Sequence, residues 1–132
     1  MIFVDTSFWV ALRAVDDAHH AEAVSLLRLH GDRALVTSNH VRGETWTFLN
    51  RRRGHAAAVG FLDLLGRTSR LRLEFTTRER EQEALDWLRR RDEREYSFVD
   101  ATSFALMRRL AIREALAFDS DFEAAGFVVL RA

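Results

Sequence analysis

An α/β fold is predicted for this chain of 132 residues: one mostly parallel sheet of about five strands, with helices covering both faces. Three features predict it. Short apolar runs alternate with segments of helical periodicity along the whole length, the pattern of strands joined by helical crossovers. Two of those runs, Met1-Ile2-Phe3-Val4 and Ala115-Leu116-Ala117-Phe118, hand over directly to an aspartate, Asp5 and Asp119. No proline and only six glycines leave little room for long loops. The length suits one domain, residues 1–132, and 48% apolar residues are enough for one continuous core.

Residues 2–5 read as a short buried strand, and Thr6 and Ser7, both good caps, open a helix over 6–14. A second helix is expected from about Asp17 to His30, with Ala23, Leu26, Leu27 and His30 on one face and Gly31 as its stop. Ala34-Leu35-Val36 is the next strand. Thr37, Ser38 and Asn39 offer caps for a helix through Val41, Glu44, Thr45, Phe48 and Leu49 that ends in Arg51-Arg52-Arg53-Gly54. Another helix spans about 55–65. Leu71-Arg72-Leu73-Glu74-Phe75 alternates as a half-buried strand does. Thr76 and Thr77 can cap a charged helix over 78–91, whose inward stripe is Ala84, Trp87 and Leu88. Ser97 opens a helix carrying Val99, Ala101, Phe104, Ala105 and Leu110. A strand over 115–118, a helical turn over 121–125 and a strand over 127–130 close the chain.

Composition narrows the chemistry. No apolar run approaches the roughly 20 residues of a membrane span, and no basic lead precedes an apolar stretch and cleavage site, so a cytoplasmic protein without membrane association is expected. The lack of cysteine excludes disulfides, iron–sulfur clusters and thiolate zinc sites, leaving oxygen and imidazole as metal ligands. All 20 basic residues are arginine, balanced by 20 acids. A genome rich in arginine codons accounts for that. So does phosphate recognition, for which the planar guanidinium is suited.

Asp5, Glu44, Asp100 and Asp119 stand beside apolar segments in separate parts of the chain. In an open α/β sheet the carboxyl ends of the strands border the ligand crevice, which brings Asp5 and Asp119 under suspicion together. Glu44 lies inside its helix, beyond the cap, and can point across a crevice; Asp100 falls in the first turn of its own. Each aspartate taken singly also reads as a cap or a partner of the helix dipole, and Glu44 as a solvated surface residue. Converging carboxylates would want a cation, and magnesium or manganese prefer a few such oxygens plus water and substrate. Those ions supply what phosphodiester hydrolysis needs.

These residues resemble the PIN-domain ribonucleases, and more narrowly the VapC toxins of toxin–antitoxin pairs. The similarity spans essentially the whole chain and rests on Ile2-Phe3-Val4-Asp5-Thr6-Ser7, on Glu44 in the helix after the second strand, on Ser97-Phe98-Val99-Asp100-Ala101, and on Ala117-Phe118-Asp119-Ser120-Asp121-Phe122 followed by Gly126-Phe127. The resemblance implies a Rossmann-like parallel sheet and metal-dependent endonucleolytic cleavage of RNA. It further implies that Asp5, Glu44, Asp100 and Asp119 hold one or two Mg2+ or Mn2+ ions. Asp121 would be an auxiliary acid, a metal ligand through water or the cap of the last short helix, and Thr6 or Ser7 would orient the site. It also implies a homodimer and a cognate antitoxin that covers the active-site groove.

Competing classes fare less well. A phosphoryl-transfer receiver domain needs a lysine, and there is none; a haloacid-dehalogenase-type phosphatase needs an aspartate at position 7, which is Ser7. A non-catalytic scaffold of the same fold, binding RNA or protein, remains the alternative. The runs Arg51-Arg52-Arg53 and Arg89-Arg90-Arg91 read as solvated helix ends or as phosphate contacts. The five histidines show no ligand spacing and read as ordinary surface or half-buried residues. Trp9, Trp46 and Trp87 read as core, with Trp46 also able to border the groove. Excess apolar residues at 21–29 and 55–65 fit an interface or a thick core.

Overall fold

A computed structural model describes residues 1–132. The elements run β1 (Ile2–Val4), α1 (Thr6–Arg13), α2 (His20–Leu29), β2 (Leu35–Ser38), α3 (Asn39–Arg53), α4 (His55–Arg67), β3 (Leu71–Glu74), α5 (Arg78–Arg89), α6 (Phe98–Arg109), β4 (Glu114–Leu116), α7 (Asp121–Ala124) and β5 (Val128–Val129). All five strands are parallel, in the order β3-β2-β1-β4-β5. The central strand β1 is fully buried, as its apolar residues require.

The order reverses at β1. From there the chain steps outward to β2 and β3, then crosses back to β4 and β5. Right-handed crossovers place α1 to α4 on one face and α5 to α7 on the other. Helix contacts divide the same way: α1 meets α2 and α3, α3 meets α4, and α6 meets α5 and α7. The main helix contact across the divide is between α3 and α6. Between the carboxyl ends of β1 and β4 the two following segments leave for opposite faces, which opens the crevice.

The core has two aromatic centres. On the α6 face Phe104 packs edge-on against Phe122 at 4.9 Å and Trp87 at 5.3 Å, and Phe122 reaches Phe3 of the central strand at 6.0 Å. On the α1 face Trp9 meets Phe61 of α4 at 5.8 Å. Burial of such rings is the main source of stability here. Gly54 has φ +95° where α3 stops and α4 begins, a conformation that an L side chain would strain. No helix is long and apolar enough to cross a membrane.

Several boundaries differ from expectation for identifiable reasons. The second helix starts at His20 rather than Asp17, because Asp17 spends a carboxylate oxygen on the His19 N–H (2.8 Å) in a local turn. The fourth strand begins at Glu114, paired with Val128, and stops at Leu116. Phe118 N–H leaves the ladder to donate to Ser7 Oγ at 2.9 Å, so Asp119 sits in a bend beyond the strand rather than immediately after its last residue. The last strand shrinks to Val128–Val129, with Phe127 packed against Phe104 at 5.4 Å. In the two helices with excess apolar residues, Leu29 and Leu62 stay exposed.

Candidate metal centre

Asp5 is the N-cap of α1. Its Oδ2 accepts the Ser7 N–H at 3.1 Å and the Ser7 hydroxyl at 2.7 Å. Asp100 occupies the third position of α6 in a capping box: its N–H donates to Ser97 Oγ at 2.9 Å, and its Oδ2 accepts the Ser97 N–H at 3.2 Å. Asp119 Oδ1 accepts the Asp121 N–H at 3.0 Å. Each aspartate is thus anchored through one oxygen and leaves the other without a protein donor. One carboxylate oxygen from each of the three lies within 4.8 Å of the others.

The local capping roles considered from sequence are therefore real, and they coexist with convergence. Capping fixes one oxygen of each, and all three aspartates line a shared cavity of about 540 Å³. Asp5, Thr6, Ser7, Val10, Asp17, His19, Glu44, Phe48, Asp100, Phe118 and Asp119 line it.

Electrostatics make this cluster costly without a cation. Two carboxylates ~4 Å apart repel by roughly 4 kcal/mol at an effective dielectric of 20. Asp5, 2% exposed, has its pKa raised to about 8, first by burial and then by Asp119, with the Ser7 hydrogen bonds pulling the other way. Asp100 is raised to about 6, again chiefly by burial, partly offset by the Ser97 N–H. No arginine pairs with Asp5, Asp100 or Asp119. Unpaired oxygens from three segments are the donor set a hard divalent ion takes. The buried hydroxyl of Thr6, a residue of the cavity wall, has no partner either.

The remaining expected residues divide. Glu44 is exposed on α3 and lines the same cavity, but its carboxylate stands outside the close cluster. Asp121 stands outside it too, for a visible reason: Arg94 grips its Oδ1 through Nε at 3.1 Å and Nη2 at 2.9 Å, and also reaches Ser120 Oγ at 2.8 Å. What Asp121 gives the cluster is its backbone N–H. Nor does its side chain cap the last short helix, α7. Of the two hydroxyls, Ser7 bonds the Asp5 carboxylate and Thr6 makes no hydrogen bond.

Four contributors escaped the sequence reading. Asp17 and His19 reach the rim because the second helix starts late, and His19 stacks on Phe118 at 4.5 Å. Phe48, 38% exposed, borders the cavity, whereas Trp46 packs against the core and His55. Arg94 had no local signal at all, since its partner lies 27 residues away.

This sheet order, with an acidic cluster at its reversal point, defines a class. The PIN domain family model matches residues 2–128, and the chain belongs to the PIN domain family. Among its relatives is the 23S rRNA-specific endonuclease VapC20 of Mycobacterium tuberculosis. In strains H37Rv and CDC 1551 alike it is 56% identical over 131 residues, covering 99% of this chain and 98% of the relative. The crystal structure of Mycobacterium tuberculosis VapC20, described as a sarcin–ricin loop cleaving toxin, superposes with a TM-score of 0.94. It is 54% identical over the full length of both chains.

Proposed function

We propose that this chain is a metal-dependent endoribonuclease, the toxin of a VapBC-type toxin–antitoxin pair, that hydrolyses phosphodiester bonds in RNA. The convergence of Asp5, Asp100 and Asp119 within 4.8 Å at the sheet's reversal point carries the reading. Those three carboxylates would hold Mg2+ or Mn2+, with Glu44 facing them across the cavity as a contact through water or substrate. A divalent ion supplies an activated water and relief of phosphate charge at neutral pH.

The chain's own residues prepare that chemistry. Ser7 fixes the rotamer of Asp5, Ser97 that of Asp100, and the Asp121 N–H that of Asp119. Arg94 holds the Asp121 carboxylate aside, making Asp121 a positioning residue. Near-total burial of Asp5 keeps bulk water from competing for its free oxygen.

The named target of the relatives, the sarcin–ricin loop of 23S rRNA, is the target we assign here, because identity extends over nearly the whole of both chains. A cytoplasmic homodimer, restrained by a separately encoded antitoxin, completes the reading. The test is cleavage of an RNA fragment bearing that loop by purified protein, in manganese or in chelator. Loss of cutting in Asp5→Asn and Asp100→Asn variants that still melt cooperatively supports the assignment. Equal cutting by those variants removes it, and no cutting by the wild type in manganese leaves the non-catalytic scaffold.

A further inference from the structure

The acidic cavity does not end at Glu44. A second hollow of about 680 Å³ adjoins it, and Glu44 and Phe48 line both. Its wall is one face of α3, from His40 through Gly43, Thr47 and Phe48 to Arg51 and Arg52. The spacing is helical throughout, so these side chains form a single stripe, about 10 Å long from Glu44 to Arg51 at 1.5 Å rise per residue.

Three properties of the stripe point to a ligand. Neither Arg51 nor Arg52 has a carboxylate partner, whereas their neighbour Arg53 pairs with Asp16. Arg52 lies over the ring of exposed Phe48, 5.3 Å from its centroid, making a shelf of joined aromatic and guanidinium surface. Gly43 sits at the centre, where a Cβ would meet nothing within 4 Å. A glycine inside a helix weakens it, and no packing neighbour requires this one. The one thing it preserves is space in front of α3.

We propose that this stripe is an RNA track: the strand leaving the acidic cluster lays its backbone over Gly43, stacks a base on the Phe48 shelf, and delivers its next phosphates to Arg51 and Arg52. The proposal rests on the endoribonuclease reading, and it assigns to α3 the hold on substrate flanking the cut. Backbone neutralisation and base stacking are the two general sources of affinity for single-stranded nucleic acid.

Binding is measured with the full chain carrying Asp100→Asn, which prevents cutting, and a labelled RNA hairpin bearing the sarcin–ricin loop, across a salt series. Adding Arg51→Gln and Arg52→Gln is expected to weaken binding about tenfold or more. It should also lower the slope of log affinity against log salt by about 1.4, the value for two single-strand phosphate contacts. Arg28→Gln with Arg113→Gln removes the same charge from exposed positions outside the groove and should leave the slope nearly unchanged. Gly43→Gln should raise the melting temperature yet weaken RNA binding, a combination that a purely structural role does not produce. Undiminished binding in the Arg51/Arg52 variant overturns the track and leaves the stripe to a protein partner; an equal loss in the control pair overturns it in favour of net charge alone. Because binding is read without cleavage, failure of the nuclease reading would show separately, as a wild type that binds and does not cut.

Discussion

Helices α3 and α6 both bring an acid to the same cavity, yet they are built in opposite ways. α6 buries eight consecutive residues, Asp100 to Met107, so it is enclosed all round, and its acid is locked in a capping box. α3 buries only Val41, Thr45 and Leu49, one residue per turn, and presents Glu44 on its open face. An enclosed helix holds a carboxylate where a metal needs it. An open one offers a wall along which a long, variable substrate can lie. Under the proposed nuclease reading, the contrast gives chemistry to α6 and reach to α3.

The largest effect should separate the two acids. Asp100→Asn is expected to lower the cleavage rate on the order of 10³-fold, the scale of several kcal/mol of lost transition-state stabilisation, and Glu44→Gln by less, about tenfold. Single-turnover cleavage in manganese measures both, and equal losses would erase the distinction. Packing comes next. Phe104→Ala in the middle of α6 should cost about 3–5 kcal/mol by chemical denaturation, while Phe48→Ala on α3 should stay within about 1 kcal/mol.

The pH dependence follows from the raised acids. Asp100 at about 6 and Asp5 at about 8 bind protons more tightly when folded than the ordinary carboxylate value of 3.8 allows. Metal-free protein therefore has this contribution in full below about pH 4, where both states are protonated, and loses it as pH rises through 6 towards 8. A fall of roughly several kcal/mol over that range is expected in chelator, and manganese should flatten or reverse it because the ion takes the ionised form. Thermal melts with and without metal read the difference. The smallest test compares caps. Ser97→Ala and Ser38→Ala should each cost about 1 kcal/mol, but only Ser97→Ala should also weaken manganese binding in a calorimetric titration.

The same contrast explains what was legible from sequence. Asp5 was readable because an apolar strand meets Thr6-Ser7 with nothing between, and Asp100 because Ser97 announces a cap three residues ahead. Both roles are set by local chain. The exact place of Asp119 was less so, since Phe118 leaves the ladder for a hydroxyl 111 residues away. The surroundings of Asp121 were hidden for a similar reason: its ion pair is with Arg94, in a loop between other helices. The Phe48 groove was invisible because exposure of one helical stripe is a property of what fails to pack on it.

Ser7 Oγ donates to Asp5 and accepts from Phe118 N–H, one residue before Asp119. A single oxygen atom is thus the spacer bar between two acids from opposite ends of the chain. That hydroxyl adds a side-chain tie beyond the last ladder bond between the two strands, Asp5 N–H to the Leu116 carbonyl at 3.0 Å, where the paired strands have already ended. Ser7→Ala would cut that tie and leave the spacing of the two acids to the backbone alone.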